Sequence, residues 1–265
     1  MSSQFGVPKA PFSRELVFAL DICERAGRIA MEFFGCCGDV ASKADGSPVT
    51  IADKKCERLI REAINARYPD DGILGEEEGE TAAKGQSGRR WIIDPIDGTY
   101  NYARGVPIFA TLLALESEGE VVLGVVHNPA FADTFWAEKG SGAFKNGSRI
   151  HVSAIGSISE SQFNFGSPAR ILAHGLWDGF EQIVFKTARQ RGFGDYYGFA
   201  LVFEGKAEAM LEVGVSPWDL APMKILVEES GGRFTDLSGS DSIYTGSCLI
   251  SNGHVHEQFL AYVRK

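Results

Sequence analysis

The chain contains no apolar run approaching the roughly 20 residues that a bilayer-spanning helix needs. Behind its first residues there is no long apolar stretch following basic ones, so no signal peptide is expected. Its five cysteines (Cys23, Cys36, Cys37, Cys56 and Cys248) are an odd number without CxxC spacing. That argues against a disulfide framework or a zinc knuckle and favours reduced thiols in a cytoplasmic compartment. Adjacent Cys36 and Cys37 could form a redox pair, a minor alternative. The five histidines lack metal-ligand spacing, and His127, His151 and His174 read as structural or surface residues. No G-x-x-x-x-G-K-[ST] occurs, so a P-loop kinase is not supported. Positive charge is also short: the net charge is -9, which argues against nonspecific binding to nucleic acid or an anionic membrane. There are no internal repeats and no low-complexity tract.

What is present fits an ordinary globular protein, with 265 residues, 44% hydrophobic and 23% charged. That length suits one large domain or two fused subdomains. Helical spacing of Leu16, Leu20, Cys23, Gly27 and Ala30 or Met31 predicts an amphipathic helix from about Ser13 to Phe34. KADGSPVTIAD reads as a loop with Thr50 as N-cap, followed by a helix from Ile51 to Arg67. ILGE is a short strand, and TAAKGQSG an exposed loop. Between residues 106 and 152, strand-like runs joined by EGE and NGS turns predict an antiparallel meander. Beyond about Ser153 the pattern turns mixed. It predicts strands QFNFGS, AEAMLEV, RFTDL and SCLIS, helices Leu176–Arg189, Tyr196–Glu204 and Ala221–Glu229, and a closing helix from His256. The expected division is an N-terminal subdomain 1–152 and a C-terminal subdomain 153–265.

The informative feature is a set of acids at element ends. In RRWIIDPIDGTYNY, a run that should be buried leads into Asp94 and Asp97. Glu76 ends another apolar run, Asp219 lies between Trp218 and LAP, and Asp53 sits one turn into a helix. A lone Asp in such a place is usually a cap or a surface charge. Several carboxylates brought together, however, cannot all ionise without a cation. An all-oxygen donor set selects magnesium, manganese or calcium over zinc. Magnesium keeps waters or substrate phosphate among its ligands, which points to phosphoryl chemistry. Gly98 and Thr99 would begin a short helix through Asn101 whose N-terminal N–H groups suit a phosphate. The Thr99 hydroxyl can orient a water, with Asp53 accepting its proton.

These motifs resemble the inositol monophosphatase family of magnesium-dependent, lithium-sensitive phosphomonoesterases. LGEEEG resembles its GEE segment. WIIDPIDGTYNY resembles its W-x-x-D-P-[IL]-D-G-T-x-N-F signature, with Tyr102 in place of Phe. PWDLAPMKILVEESGG resembles its W-D-x-A motif, and KADGSPVTIAD its metal-proximal loop. The resemblance spans about Leu16 to His254. It implies an α+β fold, a layered α/β/α/β/α sandwich. It implies two or three Mg2+ per site on the carboxylates of Glu76, Asp94, Asp97 and Asp219 and the carbonyl of Ile96, with Gly98 and Thr99 holding phosphate. Asp53 and Thr99 would activate the attacking water, with Glu76 completing the catalytic set, and the ions would flank the entering and leaving oxygens. A homodimer is the family's usual assembly. A haloacid-dehalogenase-type phosphatase is disfavoured, because its aspartates are two apart and near the N-terminus. A catalytically silent metal- or phosphate-binding module is disfavoured by the intact acid set.

Substrate choice rests on fewer residues. In GFGDYYGFALVFEGKAEAM, Asp195 stands where the family usually has a small residue, and MLEVGVSPWD supplies Glu212. Two carboxylates facing a leaving group suit a cationic ester. The pattern is similar to the histidinol-phosphate phosphatase branch, implying L-histidinol phosphate as substrate, with Asp195, Glu212 and Asp219 contacting it. Tyr196 and Tyr197 could pack on its ring. Alternatives are inositol 1-phosphate and sugar phosphates including fructose 1,6-bisphosphate, or, for Asp195, a mere helix cap.

Overall fold

The computed structural model describes residues 12–35, 41–42, 48–84 and 87–264. Cys36, Cys37 and the centre of the KADGSPVT loop lie outside them. Helix α1 (Arg14–Phe33) opens where the Ser13 side chain accepts the Leu16 N–H, and it buries Leu16, Ala19, Cys23, Ala26 and Ala30 on one stripe. Strands β1 (Ala41–Ser42) and β2 (Pro48–Val49) pair antiparallel and lead into α2 (Ile51–Arg67). Both long helices match the bounds expected from periodicity to within a residue.

Strands β3 (Gly72–Gly75), β4 (Gly79–Thr81) and β5 (Arg89–Asp97) follow, then the single-turn helix α3 (Thr99–Ala103). The predicted meander is β6 (Ala110–Ser117), β7 (Glu120–Asn128), β8 (Asp133–Glu138), β9 (Gly142–Lys145) and β10 (Ser148–Ile150). Each pairs antiparallel with the next, and β5 joins the meander to β3 in an eight-stranded sheet ordered β10-β9-β8-β7-β6-β5-β3-β4.

The chain then builds β11 (Gln162–Phe165), α4 (Pro168–Ala173), α5 (Trp177–Lys186), β12 (Arg189–Arg191), α6 (Asp195–Phe203), β13 (Ala209–Val213), α7 (Pro217–Glu229), β14 (Arg233–Thr235), β15 (Ser247–Ser251) and α8 (His256–Val263). Its five strands form a second sheet ordered β12-β11-β13-β15-β14. Sequence periodicity misplaced two elements here. The helix expected over Leu176–Arg189 stops at Lys186, because the chain turns into an edge strand pairing with β11. The helix expected from Ala221 starts at Pro217. Proline at the first helical position is pre-set for helix and needs no N–H partner.

Three apolar clusters define the layers. Helices α1 and α2 cover one face of the large sheet through Leu16, Ile22, Ile60, Trp91 and Leu113. Helices α6 and α7 fill the space between the two sheets through Phe199, Phe203, Leu226, Leu112 and Ile250. Helices α5 and α8 close the outer face of the small sheet through Phe180, Ile183, Phe259 and Leu211. The result is the expected α/β/α/β/α sandwich. The middle layer is tight: a Cβ on Gly124 of β7 would lie 2.8 Å from the Cα of Pro222 in α7. Only a residue without a side chain lets the helix seat there.

Candidate active site

The C-terminal end of β5 carries the two aspartates of the signature stretch. Asp94 pairs with Leu112 and Asp97 with Ala110, so three steps along β5 oppose two along β6. A bulge of this kind re-aims side chains that strict alternation would send to opposite faces. Pro95 sits in the bulge, where its missing N–H breaks no ladder bond, and its carbonyl accepts the Thr111 hydroxyl at 2.9 Å. The Asp94 carboxylate accepts the Ile96 N–H at 3.0 Å, which fixes its direction.

A cleft of about 810 Å³ opens beside this bulge. Its wall includes Glu76, Asp94, Asp97, Asp195, Glu212 and Asp219, against one basic residue among the described residues, Arg170. Ile96, Gly98 and Thr99 line it as well. Every acid assigned from sequence to metal or substrate therefore meets in one cavity, from elements as distant as residues 76 and 219. Asp219 is on the first turn of α7, where its carboxylate accepts the Ser216 N–H at 2.7 Å in a capping box.

Asp53 stands behind Thr99, fully buried. It takes the Thr50 N–H at 2.8 Å and the Thr50 hydroxyl at 2.5 Å, and its second oxygen lies 3.4 Å from the Thr99 hydroxyl. That hydroxyl also lies 2.9 Å from the Ile96 carbonyl. Gly98 takes φ +80° as it turns β5 into α3, a conformation that L side chains adopt at a cost.

Asp195 does not cap α6. It has φ +54°, and its carboxylate instead accepts the Asn101 amide at 2.9 Å. The next N–H, from Tyr196, goes to Asp97 at 2.6 Å. Tyr196 is buried with its hydroxyl against Asn128, and Tyr197 packs on Phe131 and Phe193. Neither tyrosine is among the residues that line the cleft. Two contributors escaped the sequence reading. Asn101 belongs to the signature stretch, but its partner lies 94 positions away. Arg170 rides on α4, whose signal was the Ser167-Pro168 start, with Ser167 accepting the Arg170 N–H.

Burial and mutual repulsion raise these acids together. Burial pushes Asp53 and Asp219 up to about 6 and Glu212 up to about 8. Asp94 is raised by burial and then by the charges of Glu76, Asp97 and Asp219. Asp97 is raised by burial and then by Asp195 and Asp219. Burial raises Asp195 too, partly offset by Arg170. Asp94 is within hydrogen-bonding reach of Glu76 and Asp219, which ionised carboxylates tolerate only with a proton or a cation between them. Asp94, Asp97 and Asp219 each offer an oxygen within 4.8 Å of the others. The donors are all oxygen, the set that suits hard divalent cations.

A sandwich with an acid-lined cleft whose oxygens suit a hard divalent cation points to a metal-dependent class of protein, and known sequences and structures narrow it further. The model of the inositol monophosphatase family matches residues 13–265. A histidinol-phosphatase of Chlorobaculum parvum is 43% identical over 89% of this chain and 91% of its own. A fructose-1,6-bisphosphatase/inositol-1-monophosphatase of Thermotoga maritima is 36% identical over 94% and 96%. The solved extragenic suppressor protein suhB of Bartonella henselae superposes with a TM-score of 0.89 at 31% identity, over 96% of this chain and 99% of its own. The chain belongs to the inositol monophosphatase family.

Proposed function

We propose that this phosphatase hydrolyses L-histidinol phosphate to L-histidinol and phosphate, a step of histidine biosynthesis, with magnesium as cofactor. The observation that carries the substrate is that Asp195 and Glu212 both line the cleft, near enough that, after burial, the charge of Asp195 raises Glu212. An amine or imidazolium brought between them would gain charge-assisted hydrogen bonds. Its charge would also offset the cost of ionising both buried carboxyls. The 43% identity to a histidinol-phosphatase supports the same substrate.

Glu76, Asp94, Asp97 and Asp219 would hold two or three magnesium ions, with the Ile96 carbonyl as a further oxygen. Bound there, magnesium supplies Lewis acidity and acidifies water. The protein's own part is positioning and proton handling. Gly98 and Thr99 present backbone N–H groups to the phosphate. The Thr99 hydroxyl orients the attacking water and directs its own proton towards Asp53, 3.4 Å away. Asp53, raised to about 6, accepts a proton near neutral pH more readily than an ordinary aspartate.

A second reading is a phosphatase for inositol 1-phosphate or fructose 1,6-bisphosphate; Arg170, a cation at the cleft, favours the bisphosphate, whose second phosphate it could pair with. Side-by-side kcat/KM on histidinol phosphate and inositol 1-phosphate decides between them. At least about tenfold preference for the cationic ester is expected, as for one charge-assisted hydrogen bond. Preference for the inositol ester would overturn the assignment. The proposal extends to a cytoplasmic homodimer with subdomains 1–152 and 153–265. Buried free thiols at Cys23, Cys56 and Cys248 are in keeping with a reducing compartment.

A further inference from the structure

Glu57 and Arg61 form an ion pair inside the protein, with side chains 0% and 7% exposed. The pair lies outside the cleft wall described above. Taking two charges out of water is costly unless their remaining hydrogen bonds are satisfied. Here they are satisfied by one segment, residues 77–81. The Glu57 carboxylate accepts the Arg61 Nε–H at 2.7 Å, the Glu77 N–H at 2.7 Å and the Glu78 N–H at 3.0 Å. Arg61 donates to the Gly79 carbonyl and, at 3.3 Å, to the Thr81 hydroxyl. Residues 77–81 immediately follow Glu76, and Gly75 precedes it. A Cβ on Gly75 would fall 2.2 Å from a Glu57 oxygen. Glu76 itself is tied to β5 by its N–H, given to the Ile93 carbonyl at 3.2 Å.

Asp53, Glu57 and Arg61 lie four residues apart on α2, so they share one buried stripe of the helix. One end of that stripe contacts Thr99. The other grips the turn that carries Glu76. The helix therefore adds a second tie, beside the pairing of β3 with β5, between two parts of the site.

We propose that Glu57 and Arg61 are positioning residues that hold Glu76 in place for a divalent cation, so that the pair sets metal affinity without touching metal or substrate. This rests on the reading of Glu76 as a metal ligand. Outer partners of this kind typically change metal affinity by about 10–100-fold when removed. Glu57→Gln keeps the shape but places an amide N–H against backbone N–H groups, so it should release residues 77–78. Arg61→Lys keeps the charge but loses the fork that reaches both Gly79 and Thr81.

The test is magnesium binding by calorimetry on the purified full chain, together with the magnesium dependence of phosphate release. In Glu57→Gln, Kd and the magnesium concentration for half-maximal rate should rise about tenfold or more. The rate at saturating magnesium should fall less. Arg61→Lys should show a smaller rise in both, and it decides the matter if Glu57→Gln does not fold. A lower Tm with magnesium affinity unchanged in the folded variants would mean a purely structural pair and would overturn the inference. If the unaltered chain itself bound no magnesium, the ligand assignment of Glu76 would fail first.

Discussion

At the scale of single residues, Asp195 is the most informative position. Its left-handed backbone is one that Asp tolerates better than most residues. The Asn101 amide and the Tyr196 N–H on Asp97 hold it in that conformation, so the proposed substrate side and the proposed metal side of the cleft are braced against each other. Replacing Asp195 by Asn keeps a hydrogen-bonding group but removes the charge. A hydrogen bond to a charged group contributes about 1.5–3 kcal/mol, so kcat/KM on histidinol phosphate should fall roughly 10–100-fold. The loss on inositol 1-phosphate should be clearly smaller. Equal losses on both esters would mean that Asp195 supports the cleft without reading charge. The place of Asp195 at the cleft was legible from sequence because an acid stands where the resembled family usually has a small residue. The brace was not, because a contact between residues 101 and 195 leaves no trace in local periodicity.

At the scale of elements, β5 and its turn into α3 explain why the signature stretch is written as it is. Apolar residues bury the strand, the bulge at Asp94–Asp97 aims both acids, and Gly98 makes the turn that delivers Thr99. Gly98 and Gly105 both have positive φ, +80° and +73°, but only Gly98 is crowded. A Cβ there would lie 2.9 Å from the Ile108 carbonyl, while Gly105 has nothing within 4 Å. Alanine at either site pays the left-handed cost of about 1–2 kcal/mol. Gly98→Ala should in addition shift Thr99 and lower kcat by about a hundredfold, the scale of an ångström's misplacement. Gly105→Ala should lower Tm by a few degrees and leave kcat near normal. Matching kcat values for the two variants would contradict this account. The long helices and the meander could be read from sequence because many residues repeat one period. Short elements such as α4, β4 and β12 carry too few residues for a period to show, and tertiary pairing decides them.

At the scale of the whole molecule, the acid cluster should tie stability to pH and to metal. Asp53 and Asp219 rise from 3.8 to about 6 on folding, and Glu212 from 4.5 to about 8. A carboxyl raised on folding favours the native state while it stays protonated. Its contribution is full below the unfolded value and is lost as pH rises through the folded one. Metal-free protein should therefore lose Tm between about pH 4 and pH 8. Added magnesium should restore most of that loss at pH 8, by binding the folded state alone. Scanning calorimetry at pH 5 and pH 8, with chelator or with magnesium, checks this. A metal-free Tm that rose towards pH 8 would contradict it. The five-layer fold brings these acids together in one cleft, the convergence that their placement at element ends led one to expect. Their shared desolvation could be seen only once the layers were assembled.

The central claim is that scattered acidic side chains converge to hold divalent ions that act on a phosphate ester. Anomalous diffraction from crystals grown with manganese in place of magnesium tests it most directly. The account predicts strong peaks between Asp94, Asp97 and Asp219 and beside Glu76. Peaks confined to other parts of the molecule, in crystals of enzyme that manganese activates, would contradict it.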